Sequence, residues 1–362
     1  MSDAYACGRS ARIWGGERLE RMRASKQFRE GRFQNTARIV PGIKGNPLPI
    51  LGEFFFGGVD RTPIEPLPVE RPLEGWSRPV ETGLRATWLG HSTVLLEMDG
   101  ARVLTDPVFA ERASPVSFAG PKRFHPVPAT IDELPPVDAV LLSHDHFDHM
   151  CKASVVALAK KGIPIVTALG VGGRLEQLGI PPALVTDLDW GESASPSGQV
   201  RFHATPAQHF SGRGVADRNR TLWASWVIES ERHKIFFSGD TGLTTEFEET
   251  GRRFGPFDLV MLEIGAFHPA WGDIHLGPEN ALVAHRMLGG GTLLPVHWGT
   301  FNLGMHPWDE PGELLLELAR TSGARVITPR LGRPVEPSRV GAPDPWWREV
   351  RVARPKLLPV PT

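Results

Sequence analysis

The chain has 362 residues, 41% of them hydrophobic and 22% charged, with a formal net charge of -1. That balance fits a soluble globular fold with a sizeable buried core and excludes a fibrous or disordered chain. No apolar run approaches the ~20 residues that a membrane-spanning helix needs, and the opening "MSDAYACGRSARIWGG" lacks the apolar stretch of a secretory leader.

Charge is unevenly placed. Ten basic residues stand against four acidic ones through Lys44, and seven against three from Arg330 onward, so the middle of the chain is acidic. An acidic body disfavours a nucleic-acid partner, because strand binding wants a basic surface. Basic ends on such a body are expected to dock on it, with peripheral contact to anionic lipid headgroups left open, since no basic amphipathic helix accompanies them. The cysteines, Cys7 and Cys151, lie far apart and suggest no disulfide framework, so a cytoplasmic location is expected. Cys151 reads as a small buried hydrophobe.

Residues 1–82 show little periodicity and several Pro-rich pieces ("GNPLPI", "RTPIEPLPVERPLEG"), which predicts an N-terminal arm packed on a catalytic body at 83–337. Residues 338–362, rich in Pro and Arg, read as a C-terminal tail. From Arg85, "ATWLGHSTVLLEMDGARVLTDPVF" reads as two apolar runs around Asp99-Gly100, a strong hairpin signal. "VDAVLLSH" is a continuous apolar strand stopping at His144, and "KASVVALAKKG" reads as a helix. A second passage repeats the plan: "TLWASWVIESERHKIFFSGDTG" is strand, polar turn, strand and an Asp-containing loop, with Asp240 in the place of Asp106. "FDLVMLEIG" and "GTLLPVHWG" are further strands, and "PENALVAHRMLG" a helix opened by Pro278 and stopped at Gly289. Two similar halves of strands and helices predict an α/β fold of the αββα sandwich kind.

The chemistry concentrates in "HDHFDH". His144 and His146, two apart just past a strand, can face one side of a loop mouth, while Asp148 and His149 face a second point. Imidazole and carboxylate suit zinc and similar ions, and four such side chains in six residues are costly to bury without a metal. His209 in "RFHATPAQHFSGRG", Asp240 in "IFFSGDTG" and His297 in "LLPVHWGTF" each follow an apolar run and are candidates for further ligands.

"HDHFDH" with a downstream His, "SGDTG" and "VHWGT" resembles the pattern of the metallo-β-lactamase superfamily over roughly residues 85–335. The resemblance implies the αββα metallo-β-lactamase fold and a dinuclear site. His144, His146 and His209 would hold one metal, Asp148, His149 and His297 the second, and Asp240 would bridge them. Two divalent ions are implied, zinc by preference, with iron or manganese as alternatives.

"WLGHSTVLLEMDGARVLTDPVF", "GPKRF", "ADRNRTLW" and "VHWGTFNL" bring the chain closer to the branch containing N-acylphosphatidylethanolamine-hydrolysing phospholipase D. That likeness implies a phosphodiesterase acting on a phospholipid-like substrate, with a metal-bridging hydroxide as nucleophile and no serine or cysteine nucleophile. Its alternative is a lactonase or other ester hydrolase of the ascorbate-phosphate lactonase-like branch. Asp148 and Asp240 would orient the attacking oxygen, and His275, before the Pro278 helix start, would contact the substrate phosphate or leaving oxygen. Asp106 and His91 are expected behind the ligands. Where the lipid-hydrolysing relatives carry an aromatic-rich stretch, this chain has the short, polar "WGDIH" (271–275), so the likeness extends to the metals more than to a lipid-facing wall.

Overall fold

Short apolar runs bounded by glycine and aspartate turns become strands, and their pairing makes two sheets. The computed structural model describes residues 15–37, 39, 60–214, 216–268, 271 and 273–350. Cys7, "GNPLPI" and the end of the tail lie outside the described residues. The chain enters through helix α1 (Gly16–Ala24) and a two-stranded hairpin, β1 (Phe28–Arg29) and β2 (Arg32–Phe33). The hairpin turns on Glu30 and Gly31, both at positive φ, the geometry that suits a two-residue hairpin loop. A single turn, α2 (Leu73–Trp76), then sets Trp76 to donate from Nε1 to Thr87 Oγ1 at 2.9 Å.

The first half begins with β3 (Leu84–Gly90), β4 (Thr93–Met98) and β5 (Ala101–Thr105), all antiparallel. The stretch read as one apolar run before Asp99 is therefore two strands. Gly90 (φ 112°) and His91 (φ 51°) reverse the chain there, in a conformation glycine adopts freely and few other residues do. Parallel strands follow: β6 (Ala139–Leu142), helix α3 (Lys152–Lys160), β7 (Ile165–Ala168), helix α4 (Val171–Gln177) and β8 (Val185–Leu188).

The second half repeats this order. Antiparallel β9 (Ser193–Ala194), β10 (Arg201–Thr205), β11 (Ser225–Glu229) and β12 (Lys234–Phe237) come first. Helix α5 (Glu246–Phe254), parallel β13 (Leu259–Glu263), helix α6 (Gly277–Met287), parallel β14 (Thr292–Val296), helix α7 (Glu310–Ser322) and parallel β15 (Arg325–Val326) complete it. A last strand, β16 (Pro334–Val335), returns to pair with β3. The result is two seven-stranded sheets, ordered β16-β3-β4-β5-β6-β7-β8 and β15-β14-β13-β12-β11-β10-β9.

Every residue of β6, β7, β13 and β14 is buried, as parallel strands covered on both faces require. Tryptophans fill the space beneath one rim of the sandwich. Trp88 stacks on Trp298 at 5.6 Å, and Trp347 meets Trp298 edge-on at 4.9 Å. Trp346 and Trp347 of the stretch read as a tail are thus core residues. Among the described residues, no helix is long and apolar enough to cross a membrane.

At the opposite end, Asp99 clasps the two halves. Its carboxylate accepts from Ser230 Oγ at 2.6 Å, Arg232 N at 2.9 Å and His233 Nδ1 at 3.0 Å, joining the β4–β5 turn to the β11–β12 turn. Burial works against its charge, yet these donors hold its pKa below the usual carboxylate value. A carboxylate depressed in the folded chain contributes stability at neutral pH that fades as pH falls below about 4, its unfolded value. Asp99→Ala is therefore expected to cost about 1–3 kcal/mol in urea unfolding at pH 7, and the gap to wild type should narrow at acid pH.

Candidate metal centre

Strands β5 and β12 mark the place in each sheet where antiparallel pairing gives way to parallel. In open α/β sheets, sites form beyond the carboxyl ends of strands at such switch points. Here the strand ends deliver Asp106 after β5, His144 after β6, Asp240 after β12, Glu263 at the end of β13 and His297 after β14.

The loop after β6 closes into one turn, with Met150 N donating to His146 O at 2.8 Å and His149 N to the same oxygen at 3.2 Å. This turn splits "HDHFDH" between two groups. His144, His146, His209 and Asp240 place one ligand-type atom each within 4.8 Å of one another, and so do His91, Asp148, His149 and His297. A third such group, Asp240, Glu263, His275 and His297, shares members with both. All seven residues predicted to hold metal are thus brought together, with His275 beside them.

Asp240 lies between the groups. Its Oδ2 is 3.2 Å from His149 Nε2, 3.7 Å from His209 Nε2 and 3.9 Å from His144 Nε2, while Oδ1 is 3.2 Å from His297 Nε2. Asp148 Oδ2 stands 3.4 Å from both His149 Nε2 and His297 Nε2. Two ligands bonded at about 2.0–2.1 Å to one tetrahedral ion lie about 3.3 Å apart, so the separations among Asp148, His149, His297 and Asp240 match atoms sharing an ion, and those from Asp240 to His209 and His144 are wider. His149 Nε2, His297 Nε2 and Asp240 Oδ1 are moreover buried without a hydrogen bond, a costly state that a cation relieves. The donor set of imidazoles and carboxylates, with no thiolate, suits a borderline divalent ion. The clusters are able to bind metal.

A second layer aims the rings. Asp106 Oδ1 accepts from Ser143 N at 2.7 Å, and its Oδ2 accepts from His149 Nδ1 at 2.7 Å and from Ser143 Oγ at 2.6 Å. Ser143 Oγ in turn accepts from His144 Nδ1 at 2.9 Å. One carboxylate therefore sets the protonated nitrogen of two histidines and leaves both Nε2 atoms facing the clusters. His209 Nδ1 donates to Ile274 O at 2.9 Å with the same effect. Asp106 mirrors Asp240 in sequence but stands one layer back from it.

The field within the site is strong. Burial, then neighbouring imidazoles, push His144 well below the ordinary histidine value. Burial also lowers His91, helped by His297, to about 3, so its neutral Nε2–H donates to Asp148 Oδ2 at 2.9 Å. Burial opposes a proton on His297 too, but Asp240 and Asp148 hold its pKa up at about 10. His149 is raised well above the usual value by Asp240, Asp148 and Asp106 against the same penalty. Two buried carboxylates thus draw positive charge to this spot.

Sequence reasoning missed Glu263 and underplaced His91. Glu263, fully buried, accepts from Thr241 N at 2.6 Å through Oε1 and from His275 Nδ1 at 2.6 Å through Oε2. It also lies 3.7 Å from His297 Nδ1. The available signal was a lone carboxylate closing the apolar strand "LVMLE". Gly242 lets the Asp240 loop close on the His275 segment, since a Cβ there would run into the Asp273 carbonyl. Arg123 is buried and donates to the carbonyls of Val108 and Ala110, and Arg218 lies over the Phe210 ring at 4.6 Å.

The family model of the beta-lactamase superfamily domain matches residues 101–298, which contain the seven residues predicted to hold metal but not His91. The chain belongs to the metallo-β-lactamase superfamily. It is 46% identical over 290 residues to an uncharacterized protein of Mycobacterium tuberculosis, covering 79% of this chain and 77% of that one. It is 39% identical over 250 residues to an N-acyl-phosphatidylethanolamine-hydrolyzing phospholipase D of Caenorhabditis elegans, covering 66% of this chain and 70% of the relative. Its fold is shared with an isothiocyanate hydrolase from Delia radicum gut bacteria at a TM-score of 0.55 and 24% identity, covering 70% of this chain and 98% of that structure. Curated relatives include a named phospholipase D and named metal-dependent hydrolases, and the chain is an enzyme of the hydrolase class.

The second layer gives a direct test. Asp106→Ala should weaken metal retention by on the order of 10–100-fold, read by chelator competition and metal analysis of the folded protein.

Proposed function

We propose that this metallo-β-lactamase-superfamily chain is a two-metal phosphodiesterase of the N-acylphosphatidylethanolamine phospholipase D type, with zinc as its metal. The carrying observation is Asp240, whose Oδ2 stands between His149 of one cluster and His209 and His144 of the other while its Oδ1 faces His297. One ion would be held by His144, His146, His209 and Asp240, the other by Asp148, His149, His297 and Asp240. Two divalent ions so held supply a water of lowered pKa and Lewis-acid stabilisation of the phosphoryl oxygens.

The remaining steps fall to side chains. Asp148 and Asp240 accept hydrogen bonds from the attacking water and orient it. Glu263 keeps the proton on His275 Nδ1 at 2.6 Å, so Nε2 is the ring nitrogen left for substrate. Burial disfavours charge on His275, but the Glu263 carboxylate raises its pKa, which suits a donor to a phosphoryl or leaving oxygen. His275 lines a cavity of about 280 Å³ with Phe267, Trp271, Leu276, Leu314 and Glu279. The apolar share of that wall comes from Phe267, Trp271 and the two leucines, so the short "WGDIH" stretch supplies its tryptophan to the wall. It supports a substrate with an apolar portion, as does the sequence likeness to a named phospholipase D.

Metal removal should abolish turnover, and zinc should restore it. His275→Ala is expected to keep both metals while kcat falls about 10²–10⁴-fold. Assays on N-acylphosphatidylethanolamine, bis-(p-nitrophenyl) phosphate and a lactone panel test the reaction class. Turnover of lactones alone would replace the phosphodiesterase reading with that of a lactonase or other ester hydrolase.

A further inference from the structure

His209 differs from His144, Asp240 and His297 in how its backbone is held. His144, Asp240 and His297 come within three residues of a strand end, but His209 lies four residues beyond β10 in irregular chain. Its backbone is buried, with the residue 1% exposed, and buried peptide groups need partners. Both come from one side chain 174 residues away. Asn35 Nδ2 donates to His209 O at 2.7 Å, and His209 N donates to Asn35 Oδ1 at 2.9 Å. The carboxamide thus does for His209 what a neighbouring strand does for a ladder residue.

The amide cannot turn round without loss. Trp223 Nε1, which also donates to Ala207 O at 2.9 Å, donates to Asn35 Oδ1 at 3.2 Å. Two donors converge on the oxygen, so the NH₂ must face the His209 carbonyl.

The segment carrying Asn35 is firmly docked. Phe33 is fully buried, packs edge-on against Phe28 at 4.9 Å, and donates from its backbone to Asn219 O at 2.7 Å. Asn219 in turn pairs with Ser211, two residues beyond His209: Asn219 N donates to Ser211 O at 2.9 Å and Ser211 N to Asn219 Oδ1 at 3.2 Å. Arg18 bridges Glu176, at 2.6 Å, and the buried Asp187, while Arg21 reaches Glu192 at 2.6 Å. Met22 is buried against Gly170.

We propose that residues 16–37 are an integral part of the metal centre, with Asn35 as the positioning residue that sets the place of His209 in the cluster of His144, His146 and Asp240. The inference rests on the two-metal reading above. Asn35 touches no ligand atom; it acts through the His209 backbone. Its removal should therefore loosen one metal and spare the other, whose candidate ligands Asp148, His149 and His297 it does not contact.

The test uses the full chain, loaded with zinc or with cobalt(II). Asn35→Ala is expected to lose one of two metals to a chelator about 10–100-fold more readily, to shift the visible cobalt bands, and to retain the second metal. Asn35→Asp keeps the acceptor for His209 N and Trp223 Nε1 but has no donor for His209 O, and should fall between Ala and wild type. Should Asn35→Ala fail to fold, Asn35→Asp decides by the same readouts. Variants holding both metals with wild-type resistance and an unchanged cobalt spectrum overturn this inference alone. Loss of both metals in step with a falling Tm also overturns it, by showing general destabilisation. A wild-type chain that takes up no metal overturns the two-metal reading and this inference with it.

Discussion

A single buried carboxylate, Asp240, is the constraint around which the molecule is arranged. It is 3% exposed, and its oxygens approach nitrogens of four histidines delivered by three different loops. Burying that charge unpaired would cost several kcal/mol, so positive charge has to gather beside it. Protons on His149 and His297 meet part of this demand in the chain alone. Divalent ions meet it more completely, because one ion serves several lone pairs that no hydrogen bond satisfies. The two sheets must therefore meet with both switch points at one rim, and the clasp at Asp99 fixes the other end of the sandwich.

The duplicated plan is broken where the site needs it to be. Asp106 and Asp240 occupy matching places, yet only Asp240 enters the clusters. Asp106 instead aims His149 and His144 from behind, through its own oxygen and Ser143. In the second half the corresponding task falls to Glu263, one strand over, which ties the Asp240 loop to His275. Each half thus contributes one carboxylate that orients rings, while Asp240 alone reaches both clusters. A symmetric arrangement with both aspartates inside would have placed a further negative charge against Asp148.

What could be read in the sequence follows from how local each signal is. A ligand-type residue directly after an apolar run is a local pattern, so His144, Asp240 and His297 stand out, and the parallel strands show as unbroken apolar stretches. His91 sits at a positive-φ reversal that hides inside an apolar run, which is why β3 and β4 read as one strand. Glu263 is a single polar residue at the end of a strand whose role exists only once β12, β13 and β14 lie side by side. Asn35 carries no local signal at all: its partner is 174 residues away, and a segment of irregular, arginine-rich sequence gives no hint that it fills a strand's place. Periodicity reports the secondary element; it does not report which loop a side chain will meet.

The metal clusters and the cavity beside His275 are held in part by different contacts. Ligand histidines are aimed by buried carboxylates, carbonyls and a carboxamide, each with little room to move, so the chemistry tolerates few changes. The cavity beside His275 is bounded instead by side chains of the stretch between β13 and α6, by the first turn of α6 and by Leu314 of α7. Phe267 stacks on His306 at 4.7 Å. The Phe267 and Leu314 side of that wall stands apart from the contacts that aim the ligands, whereas Ile274 and His275 are hydrogen-bonded to His209 and Glu263. Loops of this kind are where one fold acquires different substrates, so proteins with the same ligand pattern need not share a reaction partner. On the proposed reading, substrate choice falls to the Phe267 and Leu314 side of this cavity, while its His275 side stays tied to the metal cluster.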